Sequence, residues 1–228
     1  MPHISIFDVA GPIMIGPSSS HTAGACKIGQ YARAIFHHTP SKVTFYLHGS
    51  FGEVYKGHAT DRALLAGVMK FKTRDPKMKD ALAIAREKGL EYKFIPMNLG
   101  EKYHPNTVKI VLENSRHKMS LIGSSIGGGM VQIFQIDNFP VGIHGVAGKF
   151  MSLVIRHVKE SDVIARLIDK IEKLGEIEVA GREDTSFKDK ALTVLHLRGR
   201  AILLREVIEL EKIEGIDFIR SLHKLEKD

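Results

Sequence analysis

Cysteine is almost absent from this chain of 228 residues: Cys26 stands alone, and tryptophan is missing altogether. One thiol excludes an intramolecular disulfide, and one thiolate does not hold a metal cluster by itself. The apolar-periodic segment around Cys26 marks it as an ordinary buried thiol. No run approaches the roughly 20 apolar residues that span a bilayer. The first residues show neither the basic start nor the apolar core of a secretory signal. The cytoplasm is therefore the expected location, with no membrane partner. A basic arm is missing as well. The chain carries 33 Lys and Arg against 26 Asp and Glu, a formal charge of +7. Yet Lys77, Lys79, Arg86 and Lys88 are interrupted by Asp80 and Glu87. Aromatics amount to only 7%, so nucleic acid is not an expected partner either.

Several chemical signatures are also wanting. The run Gly127-Gly128-Gly129 lacks the Gly-x-Gly-x-x-Gly spacing of dinucleotide sites and is not followed by Lys and Ser/Thr. No His-Glu-x-x-His occurs, and no metal ligand set is expected. A serine nucleophile is not expected.

What the chain does have is four polar clusters in its first 150 residues. Gly16-Pro17-Ser18-Ser19-Ser20-His21-Thr22-Ala23-Gly24 places hydroxyls and an imidazole just ahead of a long apolar-periodic segment. Ser and Thr cap helices by accepting orphan backbone N–H groups, and helix starts attract carboxylates and phosphates. The run predicts a small anionic ligand, with Ser20 or Thr22 available as a cap. In Gly57-His58-Ala59-Thr60-Asp61, Thr60 is the expected cap, Asp61 gains from the helix dipole, and His58 is left in the loop as a candidate proton acceptor. In His104-Pro105-Asn106-Thr107, Asn106 can both donate and accept hydrogen bonds. The glycine run can turn its backbone N–H groups toward an anion.

The chain changes character near residue 150. Nine of its 12 histidines lie before that point, and Gly142, Gly145 and Gly148 read as a hinge. The first part predicts a mixed α/β domain over 1–148, with helices over 22–38, 61–72 and 77–88 and strands near 43–47, 90–95, 108–113 and 130–136. The second part, 149–228, predicts a β-α-β-β-α-β order. Strand Leu153–Ile155 is followed by a helix over 162–174, a strand over 176–182 and a turn over 183–189. A strand over 192–197, a helix over 201–210 and a strand near Ile216 and Phe218 complete it. That order is ferredoxin-like, and the whole chain falls in the α+β class.

The four clusters and the opening Phe7-Asp8-Val9-Ala10-Gly11-Pro12 together resemble the beta subunit of the bacterial iron–sulfur-dependent L-serine dehydratases, over about residues 4–148. Residues 150–225 resemble the small regulatory domain known as ACT. The resemblance implies conversion of L-serine to pyruvate and ammonia, with a [4Fe–4S] cluster as Lewis acid. In two-chain members the cluster cysteines belong to an alpha subunit, so the partner is an alpha chain, the cofactor is held there, and this chain alone is inactive. By motif, Ser18, Ser19, Ser20, His21 and Thr22 line the serine site, with Gly127 and Gly128 near it. His58 takes the Cα proton with His21 as the second imidazole, Asp61 orients the loop or His58, and Asn106 binds substrate. Two departures stand out: Ala59 replaces a glycine common in the family, and the Asp-x-Pro-Gly turn of ACT domains is missing, with Val158-Lys159-Glu160-Ser161-Asp162 in its place. A serine-sensing regulatory subunit and a standalone amino acid-binding protein remain open alternatives, as does self-association of the beta chain.

Overall fold

The computed structural model describes residues 16, 18–145, 151–159 and 162–222. The Phe7–Pro12 motif, Pro17 and Gly148 lie outside them. The chain divides into two compact units, with the division falling among residues 138–148.

The first unit is built on a sheet of β1 (Lys42–Leu47), β2 (Glu91–Pro96), β3 (Thr107–Glu113), β4 (Lys118–Gly127), β5 (Met130–Ile136) and β6 (Phe139–Gly145). Their spatial order is β2-β1-β3-β4-β5-β6. β1 runs parallel to β2 and antiparallel to β3. A parallel pair needs a crossover, and α2 (Ser50–Val54), α3 (Thr60–Val68) and α4 (Ala81–Glu87) lie within it. Val43, Phe45 and Leu47 on β1, and Val108, Ile110 and Leu112 on β3, are fully buried. Each such side chain stabilises the fold by about 1.5–3 kcal/mol.

Helix α1 (Ala25–Phe36) packs directly on α3. Two glycines make the close approach possible. A Cβ on Gly29 would run into the Leu64 carbonyl, and one on Gly67 into the Cys26 carbonyl. Cys26 is buried at this seam, its Sγ 3.6 Å from the Phe71 carbonyl.

Several expected boundaries move. The helix expected over 61–72 ends at Val68, and Lys70 takes a positive φ of 66°. The helix expected over 77–88 divides into a 3₁₀ turn, Pro76–Asp80, and α4. Pro76 suits the start of that turn, because a first-turn N–H has no helical partner to lose. Strand β4 has no place in the sequence reading. Its alternation is erased because Leu121, Ile122, Gly123, Ser124 and Ser125 form one continuous buried run.

The second unit has β7 (Met151–Val158), α5 (Val163–Glu172), β8 (Ile177–Phe187), β9 (Lys190–Gly199), α6 (Leu204–Glu211) and β10 (Ile216–Ser221). Its strand order, β10-β7-β9-β8, is the ferredoxin-like arrangement. Leu153 and Ile155 on β7, Leu167 and Ile171 on α5 and Leu195 on β9 sit in its core.

The turn expected over 183–189 is largely strand. Residues Glu183–Phe187 pair in register with Val194–Lys190, and only Lys188 and Asp189 turn the chain. The charges there suit an edge strand, where they discourage pairing with another sheet. The last helix starts at Leu204, later than expected. Leu203 is extended, and its N–H is capped at 2.8 Å by Glu206, whose carboxylate is gripped by both terminal nitrogens of Arg200 at 2.8 and 2.9 Å. That grip holds the Glu206 carboxyl down at about 2. No helix among the described residues is long and apolar enough to cross a membrane.

Candidate functional site

The first polar cluster forms a π-helical turn, Ser19–Gly24, that leads into α1. Single π turns widen a helix locally and occur mostly at functional sites. The cap is Ser18 and not the expected Ser20 or Thr22: its hydroxyl accepts the His21 N–H at 3.2 Å. Gly24 closes the turn against β4, where a Cβ would overlap the Ser125 hydroxyl. The wide turn buries His21 and Thr22 and leaves Ser19 and Ser20 half-buried.

Inside the turn, His21 is bracketed. Its Nδ1 lies 3.1 Å from the Thr60 hydroxyl and its Nε2 lies 3.3 Å from the Ser50 hydroxyl. The ring meets His58 edge-on at 4.9 Å between centroids and Phe51 at 5.2 Å. Burial pushes the His21 imidazole below its ordinary value, and the neighbouring His58 pushes the same way. His58 itself is exposed, and its carbonyl accepts the Thr22 hydroxyl at 3.5 Å. The result is a neutral, enclosed imidazole behind an accessible one.

Local backbone explains the bracket. Ser50 opens α2 immediately after Gly49, whose φ is 54° and whose Cα packs so near Pro105 that a Cβ would come within 2.8 Å of that backbone. Thr60 opens α3 after Ala59, which is left-handed at φ 57°, ψ 25°. Glycine fits that conformation freely, whereas alanine in it costs about 1–2 kcal/mol. Thr60 is therefore not the cap expected of it. The N-cap position belongs to Ala59, and the Thr60 hydroxyl turns instead to His21.

The other expected residues are placed differently. Asp61 is buried, and burial raises its carboxyl above the usual range against the opposing pull of the Arg62 N–H, which it accepts at 2.8 Å. Among the described residues, Asp61 bonds to its own helix start and not to His58. Asn106 is tied to the site by its backbone. Its carbonyl accepts the Ser125 N–H at 2.9 Å and its N–H donates to His104 Nδ1 at 3.1 Å. The neighbouring Pro105 carbonyl accepts the Phe51 N–H at 3.4 Å. Gly127 and Gly128, at φ 108° and 57°, form the tip between β4 and β5, and Lys27 ties the adjacent Gly129 carbonyl at 2.9 Å. The structure thus brings His21 and His58 into contact, holds Asn106 one loop away, and places the glycine tip beyond α1's first turn.

Sequence reasoning missed Phe51 and the hydrogen bonds that Ser50 and Thr60 make to His21. The available signal was the polar end of β1, His48-Gly49-Ser50. A spacing of Gly-x-Ser-x-Gly does occur, at Gly123–Gly127, but it lies within the continuous strand β4 and not at a strand-to-helix elbow. The Ser125 hydroxyl is fully buried there, with no hydrogen-bond partner among the described residues. Among the described residues no three His, Cys, Asp or Glu side chains gather to hold a metal ion. Cys26, buried at the α1–α3 seam, does not fit a cluster ligand.

Residues 5–135 match the family described as "Serine dehydratase beta chain". This chain belongs to that family. The match takes in the whole bracket around His21. Two relatives extend the likeness past residue counts that the motifs alone cover. The "L-serine dehydratase, beta chain" of Peptoniphilus asaccharolyticus is 43% identical over 166 residues, 72% of this chain and 73% of that protein. The "Probable L-serine dehydratase, beta chain" of Bacillus subtilis is 37% identical over 187 residues, 80% of this chain and 83% of that protein. An "L-serine dehydratase" of Haemophilus influenzae is 32% identical over 117 residues, which make up 49% of this chain but only 24% of that protein. Among solved structures, an ACT domain from the GTP pyrophosphokinase of Chlorobium tepidum overlays with a TM-score of 0.28 at 12% identity, covering 32% of this chain and 97% of that one. The ferredoxin-like description of the second unit stands on its strand order.

Proposed function

We propose that this family member is the beta subunit of an L-serine dehydratase, which turns L-serine into pyruvate and ammonia together with an alpha subunit. The observation that carries the reading is the pair His21 and His58, one imidazole enclosed and neutral and the other open, inside the region shared with the family. Two relatives are named beta chains, which implies a second chain. The Haemophilus relative, in which the matched segment is about a quarter of the protein, supports the same division of labour.

In this reading the exposed His58 imidazole accepts the Cα proton of L-serine. The hydroxyls of Ser18, Ser19, Ser20 and Thr22 and the amide of Asn106 orient the carboxylate and ammonium. His21 stands behind His58, and its neutral ring leaves the open imidazole without a buried positive charge beside it. Loss of the Cα proton and the β-hydroxyl yields 2-aminoacrylate and water. Its imine tautomer then takes up one water and releases ammonia, leaving pyruvate. We assign a [4Fe–4S] cluster to the alpha subunit, where it would supply Lewis acidity toward the hydroxyl; the residues of this chain do not fit it, and their part is the proton and the binding.

The test is pyruvate formation from L-serine by the reconstituted alpha–beta complex. His58→Ala is expected to lower turnover about 100-fold or more while the complex still assembles. Unchanged turnover with lost activation by serine would instead make the site a sensor and overturn the catalytic reading.

A further inference from the structure

His21 differs from an ordinary buried histidine in the kind of partner at each nitrogen. A neutral imidazole has one N–H and one lone pair. A hydroxyl either gives its proton or accepts one. With the Thr60 hydroxyl at Nδ1 and the Ser50 hydroxyl at Nε2, two arrangements satisfy both ring nitrogens. In one, Nδ1–H donates to Thr60 while Ser50 donates to Nε2. In the other, both directions reverse. The ring itself does not have to move, because Phe51 and His58 meet it edge-on.

The two hydroxyls are not equivalent. Thr60 is fully buried, whereas Ser50 is half-buried. Ser50 is also held firmly. It sits in the first turn of α2, between Gly49, lodged on the Pro105 backbone, and Phe51, whose N–H donates to the Pro105 carbonyl. The loop bearing Asn106 thus sets where the Ser50 hydroxyl points relative to His21.

We propose that Ser50 is a positioning residue whose half-buried hydroxyl fixes the orientation and tautomer of the His21 imidazole. Without it, Nε2 has no hydrogen-bonding side chain among the described residues, and Thr60 alone chooses which nitrogen keeps the proton. The role rests on reading His21 and His58 as the reacting pair.

Two measurements test it on Ser50→Ala and Ser50→Thr. The first is ¹⁵N NMR of the imidazoles in the full chain, which reports the His21 tautomer without any partner. The second is the pH profile of kcat and KM for L-serine in the reconstituted alpha–beta complex. Ser50→Ala is expected to move the His21 nitrogen resonances and the acidic limb of the kcat profile. It should lower kcat about 10-fold, a part of the ~10²–10⁴ that a whole acid–base group contributes, and leave KM within about threefold. Ser50→Thr should restore both. Unmoved His21 resonances in Ser50→Ala overturn the proposal, and so does a moved tautomer with an unchanged kcat profile. If His21→Gln and His58→Ala complexes both keep full turnover, the catalytic reading fails by itself, and the NMR result still decides whether Ser50 sets the tautomer.

Discussion

His21 in the first unit and His157 in the second are both buried, both beside a threonine hydroxyl, and differ in what they can do with a proton. His157 Nδ1 lies 2.6 Å from the Val158 carbonyl, and Nε2 lies 3.0 Å from the Thr193 hydroxyl. A carbonyl only accepts, so Nδ1 keeps its hydrogen. The neutral ring then has its lone pair on Nε2, and the Thr193 hydroxyl has one proton to share between Nε2 and Asp184, 2.7 Å away, which is itself paired with Arg182 at 2.6 Å. The backbone carbonyl by itself sets the tautomer of His157. Around His21 the partners are two hydroxyls and a second imidazole, and the directions can reverse. One site is a fixed brace across β7, β9 and β8; the other is able to exchange. Burial alone does not distinguish them, since it lowers both imidazoles. Only the chemistry of the neighbours does.

The comparison breaks most visibly in turnover. His21→Gln in the reconstituted complex is expected to cost about 100-fold in kcat, whereas His157→Gln should leave kcat within a few-fold when assayed well below its unfolding midpoint. Equal losses would remove the distinction. Stability should show the reverse bias. Thr193→Val strips a hydroxyl from between His157 and Asp184 and is expected to cost about 1–3 kcal/mol by urea unfolding, the penalty of leaving buried polar groups unmatched. Thr60→Val should cost less, because Ser50 still serves His21.

The dependence on pH sharpens the same contrast. Both histidines have native values depressed below the ordinary 6.5. The unfolded chain therefore binds more protons through that window, and stability rises with pH across it. The contribution is complete above about 6.5 and is lost as pH falls through the depressed native values. Urea midpoints measured from pH 8 to pH 5 should fall on acidification, and His21→Gln and His157→Gln should each flatten the curve. Asp61 works in the opposite sense further down: its raised carboxyl favours the fold at low pH and loses that contribution as pH rises through its native value. The smallest effect is expected at Ala59. Ala59→Gly relieves a left-handed alanine and should gain about 1 kcal/mol, read as a rise in the urea midpoint with the His21 NMR signals unchanged.

Much of this arrangement was legible in the residues. Val43, Phe45 and Leu47 alternate, and they form one buried face of β1. Val163, Leu167 and Ile171 recur at helical spacing, and α5 buries them. The βαββαβ order follows from such periods. Strand β4 escaped because a strand buried on both faces loses its alternation, and Ser124 and Ser125 disguise it further; the Thr107 hydroxyl, 2.5 Å from Ser124, satisfies one of them inside the sheet. The far half of β8 escaped for the opposite reason, since its exposed edge carries the charges of a turn. The serines before His21 suggested a cap but not which one, because successive hydroxyls carry the same capping chemistry and only the start of the π turn at Ser19 selects Ser18.

By itself the sequence determined the two units, the helical and strand faces, the family motifs and the candidacy of His21 and His58. These depend on local periods and on side-chain chemistry that each segment carries with it. The tertiary structure alone decided that Ser50 and Thr60 bracket His21, that Asp61 turns to its own helix, and that the Asn106 backbone is tied to Ser125. The bracket joins segments 29 and 39 positions apart in the chain, and hydrogen bonds of about 3 Å depend on where packing brings each backbone to rest.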